Sequence, residues 1–230
     1  MAQNINPISK RLGINKNWSS RWFDLQNFPQ KLEEDNIIRK CLEKLLSKAH
    51  YSEIIIERKS DKINITIYTS RPGMIIKHQG EGLGELKKAI EKTLEKYYRK
   101  NKIDKNINIS LNIEEVRKPF LSAQIVAFDV ATEFEKRQPY RKTIKKYVEK
   151  IMQNKEAKGA KIWVSGRLDG ADIARDDWYK DGKLPLNTLR SNIDYAMATA
   201  HCTYGAIGIK VWIYKGDVFN QKQKVNSQQL

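Results

Sequence analysis

Apolar residues recur along this chain at two different periods, and the points where one gives way to the other divide it into elements. The first 22 residues show neither period. "NPISKRLGINKNWSSRW" is polar and basic, and reads as an arm that lies on something else rather than folding alone. Helical spacing begins after Pro29, with Ile38, Cys41, Leu42, Leu45, Leu46 and Ala49 at steps of three and four. Cys41 falls on that stripe, which predicts a buried thiol. Two strands follow. "SEIIIERKS" is a compact apolar run, and "KINITIYT" alternates Ile63, Ile65 and Ile67 with polar residues, with Ser60-Asp61 suited to the tight turn between them. Pro72-Gly73 then turns the chain into a glycine-rich basic loop and a helix with Leu86, Ile90, Leu94 and Tyr97 on one face. "INISLNI" (107–113) is a third strand, with Ile107, Ile109, Leu111 and Ile113 pointing one way.

Pro119 resets the pattern. Leu121, Ile125, Phe128 and Ala131 repeat at helical spacing, Pro139 breaks that helix, and another runs from Tyr140 to about Gln153. From Gly159 the chain reads mostly as strand: "AKIWVSGRL", "LPLNTLRSNIDYAMATAHCTYG" and "AIGIKVWIYKG". The second half is therefore predicted as two helices packed on a mostly antiparallel sheet, an α+β domain. The limits that follow are an arm over 1–22, a first domain over 23–116, a second over 117–216, and a disordered polar tail over 217–230.

Composition changes the picture through charge. Lys and Arg number 43 against 27 Asp and Glu, a formal net charge of +16, which points to a polyanionic partner, nucleic acid before membrane. No apolar run approaches the roughly 18 residues of a membrane span, and the N-terminus lacks the apolar core of a signal peptide. Two isolated cysteines and three histidines assemble no zinc spacing, so no metal or cofactor is expected, and a reducing intracellular compartment suits them.

Three stretches carry candidate chemistry. On the helix from residue 140, about 100° between residues puts Tyr140, Ile144, Tyr147, Val148 and Ile151 in one apolar sector. Arg141, Lys142, Lys145 and Lys146 fall outside it. Seven basic residues and one acidic, Glu149, lie between Lys136 and Lys150. A solvated lysine face is the ordinary reading of such a helix. With Lys136 and Arg137 added and few anions to offset them, it reads here as a ridge for phosphates. In "VSGRLDGADIARDDW", Asp169, Asp172, Asp176 and Asp177 suggest a metal-dependent nuclease, but the spacing is loose and Arg167 and Arg175 interleave. Carboxylates that orient arginines or cap turns are the better account, and no enzyme is expected. The loop Lys77-His78-Gln79-Gly80 stands where a Gly-x-x-Gly turn between two helices would clamp a single-stranded backbone. The order helix, strand, strand, loop, helix, strand is the one a type II KH fold requires.

The chain resembles a known family over residues 1 to about 216: the universal KH-domain protein of the small ribosomal subunit, numbered three, in its bacterial form. The resemblance rests on "NPISKRLGI", "WSSRWF", "RPGMII", "EVRKP" and "YRKTIK", and above all on "SGRLDGADIARDDWYKDGKLPLNTLRSNIDYAMATAHCTYGAIGIKVWIYKGD". It implies a non-enzymatic RNA-binding component of the subunit head. Such a protein binds small-subunit rRNA, touches neighbouring small-subunit proteins, and lines the channel through which mRNA enters, helping to unwind it. On "YRKTIK" the mRNA contacts are Arg141, Lys142 and Lys145, supported by Lys136, Arg137 and Lys146. Further rRNA candidates are Lys10, Arg11, Arg167, Arg175 and Arg190. A cytoplasmic bacterial ribosome is implied, with an organellar one as the alternative. A free-standing KH-type regulator of single-stranded RNA is the competing function. The family's Gly-x-x-Gly reads Lys77-His78-Gln79-Gly80 here, so only its second glycine is present. Lys77 is then expected to meet phosphate through its ammonium, with Gly82 and Gly84 restoring local freedom to the loop.

Overall fold

The computed structural model describes residues 5–46, 49–59, 62–76, 81–101 and 108–219. They divide into two compact units: residues 18–117, and the residues up to Asn17 together with those from Lys118 onward. The arm expected over 1–22 is thus shared between them.

The first unit carries a four-stranded sheet in the order β1-β2-β3-β4 (Ser20–Arg21, Tyr51–Lys59, Lys62–Thr69, Asn108–Glu115). Strands β2 and β3 are antiparallel, while β1 joins β2 and β4 joins β3 in parallel. Helices α1 (Phe28–Leu46), α2 (Pro72–Ile76) and α3 (Glu81–Asn101) complete it; the expected order of helix, strand, strand, loop, helix, strand is met by α1, β2, β3, α3 and β4, with α2 an additional short helix after Arg71. Ile38, Leu42 and Leu46 of α1, Leu86, Ile90 and Leu94 of α3, and Ile63, Ile65 and Ile67 of β3 are buried.

Four details differ from the pattern reading. Cys41 is only partly buried and Leu45 is exposed, because α1 turns Glu34 and Asp35 inward instead. Arg58 of β2 meets both: its Nη1–H donates to Glu34, its Nη2 lies 2.5 Å from Asp35, and Trp22 Nε1–H donates to Asp35 at 2.8 Å. A buried cation surrounded by buried carboxylates satisfies charges that hydrophobic periodicity cannot anticipate. Tyr98, not Tyr97, closes the buried face of α3. Gly82 is helical, and a Cβ there would stand 2.0 Å from the Ile75 carbonyl oxygen. It permits the close approach of α2 and α3 rather than loosening the loop.

The second unit has a sheet in the order β6-β5-β8-β7 (Arg175–Gly182, Gly159–Gly166, Gly205–Asp217, Ser191–Cys202), antiparallel throughout. Helix α4 (Ala123–Glu135) packs on β7 and β8, and α5 (Tyr140–Met152) on β5 and β6. One apolar core joins Val126, Val130 and Phe134 of α4, Ile144, Val148 and Ile151 of α5, and Ile162, Val164, Ile209 and Val211 of the sheet. The residues 184–189, expected as strand, form none. A strand appears instead at β6, whose polar "RDDWYKDG" pairs along an exposed sheet edge and so shows no apolar alternation. The turn Ser60-Asp61, Ile107 and the tail from 220 lie outside the described residues.

Candidate nucleic-acid interface

Helix α5 buries one side and exposes the other, as its sequence spacing predicts. Tyr140, Thr143, Ile144, Tyr147, Val148 and Ile151 are buried, and Arg141, Lys142, Lys145 and Lys146 are exposed. Pro139 precedes the first turn, and the Tyr140 amide donates to Asp169 Oδ1 at 3.4 Å, so a carboxylate from another loop takes up a free N–H at the helix start. Since the buried side is fully packed, the cations project from a fixed cylinder.

Their local partners are weak. Arg141 Nε–H donates to the Tyr140 hydroxyl at 3.0 Å, the guanidinium stands over that ring, and Asp177 Oδ2 is 3.7 Å away. The tyrosine hydroxyl first, and Asp177 after it, raise the Arg141 pKa above its ordinary value, so the charge is permanent. Lys145 lies 3.9 Å from Glu149, and Lys146 3.6 Å from Glu133. Lys142 has no ion pair among the described residues. Exposed pairs of this length contribute between nothing and about 1 kcal/mol, so phosphates can displace the carboxylates. Lys150, which the motif reading left out of the site, stands 5.1 Å over Tyr147 and 5.3 Å over Phe120. Its half-buried stem hid it from a reading based on the exposed sector.

At the N-terminal end of α5 the molecule opens a cleft of about 490 Å³, lined in part by Arg137, Tyr140, Arg167, Asp169, His201 and Tyr204. Arg137 sits at φ 59° and donates to Thr203 Oγ1 at 3.1 Å, which aims its guanidinium along the cleft wall. Lys136 caps α4 and is exposed. Arg167 is braced by the Ala171 carbonyl at 2.9 Å, the Tyr204 carbonyl at 3.3 Å and Asp172 at 3.3 Å. Thus Asp172 orients Arg167, Asp169 caps α5, and Asp177 accepts from its own neighbour Trp178 while facing Arg141. Among the described residues, no three His, Cys, Asp or Glu side chains are grouped to hold a metal.

The other candidates are scattered. Lys10 donates to the Asn187 carbonyl at 3.3 Å. Arg175 opens β6 and is exposed, and Arg190 is exposed with its guanidinium over Phe219. Arg11 requires correction. It is fully buried, and it donates to the carbonyls of Ser191 (2.8 Å), Pro7 (2.9 Å), Leu186 (2.9 Å) and Thr188 (2.8 Å). With its donors saturated by backbone oxygens, it ties the arm to the 185–191 segment and offers nothing to a phosphate. Lys77, His78, Gln79 and Gly80 lie outside the described residues.

Comparison with known proteins adds three findings. The model of the KH domain matches residues 37–121, and that of "Ribosomal protein S3, C-terminal domain" matches residues 130–213. The small ribosomal subunit protein uS3 of Nitratiruptor is 46% identical over 222 residues, covering 96% of this chain and 92% of its own. The uS3 proteins of Helicobacter pylori and Wolinella succinogenes are 44% and 46% identical over the same length, each covering 96% of this chain.

Proposed function

The chain belongs to the uS3 family of small ribosomal subunit proteins, and from that premise we propose that α5 grips mRNA as it enters the subunit. The protein is a ribosomal component of an RNA-binding family and not an enzyme. In the proposed arrangement small-subunit rRNA and neighbouring subunit proteins hold both units in a bacterial, cytoplasmic ribosome, and no helix among the described residues is long and apolar enough to cross a membrane.

One observation carries the reading: α5 presents Arg141, Lys142, Lys145 and Lys146 from a rigidly packed helix with a single acidic residue, Glu149. Phosphates that pass over such a ridge exchange their condensed counterions for fixed cations. The contacts are to the backbone, so they slide along any sequence. A ridge that holds single strands favours the opened form of a message hairpin over the paired form. Lys136 and Arg137 extend the ridge toward the cleft, where Arg167 and Tyr204 form its far wall.

The test is translation by subunits carrying Arg141→Ala, Lys142→Ala and Lys145→Ala together. Passage through message hairpins slows, while unstructured messages are read at nearly the normal rate. Equal slowing on both kinds of message would contradict the assignment.

A further inference from the structure

The sheet of the second unit has two faces, and the helices cover only one. Its opposite face is ordered in rows across the strands. One row runs Lys180, Lys161, Trp212, Tyr195; the next runs Trp178, Trp163, Lys210, Met197; a third, of small or polar residues, runs Asp176, Ser165, Gly208, Thr199. Rows two residues apart are about 6.5 Å from one another. At one end the face is closed by Leu184 and Leu186, packed on Ile193, Trp212 and Tyr214. The other end is open, with Trp178 54% and Met197 58% exposed.

Aromatic rings and cations interleave across this face, from the covered Trp212 to the exposed Trp178. Trp163 and Trp212 stack with centroids 6.4 Å apart. Lys161 Nζ lies 4.6 Å over Trp178 and 5.7 Å over Trp212, and Lys210 Nζ lies 4.8 Å over Trp163. No carboxylate pairs with Lys161, Lys180 or Lys210 among the described residues. Burial, and then the like charge of Lys180, holds Lys161 below the ordinary ammonium value. The patch is thus an accumulation of positive charge whose only local relief is the face of indole rings.

We propose that this face is a stacking platform for unpaired RNA bases, distinct from α5 and resting on the reading of the chain as an RNA-binding protein. Bases stack on Trp178 and Trp163, while Lys161 and Lys210 move from the ring faces onto the flanking phosphates, where Lys180, their neighbour across the strands, joins them. Every base offers a π-face, so the platform takes single strands without regard to sequence. Three unpaired ammonium groups favour a polyanion over a protein partner, which would have to bring matching carboxylates to bury them.

The experiment is titration of the full chain with single-stranded oligoadenylate of eight nucleotides, followed by tryptophan fluorescence. Trp178→Ala weakens binding roughly 5- to 100-fold, and Trp178→Phe, which keeps a ring, loses far less. Lys161→Ala and Lys210→Ala each lower the slope of log K against log salt by about 0.7. Trp178 is half exposed, so its removal leaves the apolar core in place, which near-ultraviolet circular dichroism verifies. Unchanged affinity in Trp178→Ala overturns the platform. So does a variant that binds the oligonucleotide normally yet fails to join small subunits reconstituted from purified rRNA and proteins, since the face would then be a protein contact. The Arg141, Lys142, Lys145 triple variant keeps the two readings separable. If it alone weakens binding, α5 stands and the platform falls. If only Trp178→Ala does, the platform stands and α5 falls.

Discussion

Helices α3 and α5 are alike on their buried sides and unlike on their exposed ones. Each buries an apolar stripe around a fully packed isoleucine, Ile90 in α3 and Ile144 in α5. Each shows lysines to solvent. In α3, however, six basic residues alternate with four acidic ones, and pairs form one turn apart, Lys87 with Glu91 and Arg99 with Glu95. In α5 there are five basic residues and one acidic. Ion pairs of similar length occur on both helices; what differs is the excess of cations, six basic less four acidic, a net two over 21 residues of α3, against five less one, a net four over 13 residues of α5. Lysine content alone therefore says little about nucleic acid. What attracts a polyanion is charge left uncompensated within about a Debye length, roughly 10 Å at moderate salt.

Both helices are anchored by a buried isoleucine, and removing that anchor has the largest measurable consequence. Ile90→Ala and Ile144→Ala should each destabilise their unit by about 2–5 kcal/mol in denaturant unfolding. A cost well under 1 kcal/mol at either site would mean that its helix is loosely held, and that the difference in charge is accompanied by a difference in rigidity. A smaller effect concerns how α3 is set in place. Gly82→Ala should cost about 1–3 kcal/mol, since a Cβ meets the Ile75 carbonyl. Gly84→Ala, with nothing within 4 Å of its Cβ, should instead stabilise by about 0.5–1 kcal/mol. Effects of the same sign would contradict the close approach of α2 and α3. The smallest effect is expected of Lys77, which stands between α2 and α3 in sequence and which we propose as a phosphate contact. Lys77→Ala should remove about one phosphate contact, lowering the salt slope of RNA binding by roughly 0.7. An unchanged slope, with unchanged incorporation into small subunits, would assign that ammonium no contact.

The sequence made the apolar architecture readable wherever burial is one-sided and regular. The β3 isoleucines, the buried sector of α5 and the alternation along β8 all emerge from periods of 2 and 3.6, because each of these elements meets the core along one stripe. Charge inside the protein was not readable. Arg11 looks in sequence like any arm cation, and apart from that of Pro7 the carbonyls that hold it belong to residues some 175 to 180 positions away. Glu34 and Asp35 look like solvent residues until Arg58 is placed between them. Strand β6 went unseen for a related reason: on an exposed edge neither face needs to be apolar, so Trp178 stands among charges with no pattern around it. On α5 the cations could be read directly, since solvent-facing groups need no distant partner. The lysine and tryptophan rows on the sheet could not, since they come together only through the register of four strands.

We propose that the excess of basic over acidic residues on α5, and not lysine content, makes the interface. Measuring RNA affinity against salt for two triple variants side by side separates the two. One carries Arg141→Ala, Lys142→Ala and Lys145→Ala; the other carries Lys88→Ala, Lys92→Ala and Lys96→Ala on the exposed face of α3. With single-stranded RNA the α5 variant should lose about 2 from the slope of log K against log salt, near 0.7 for each phosphate contact. The α3 variant should lose less than the equivalent of one contact. Equal losses from the two variants, or no loss from the α5 variant, would contradict the account.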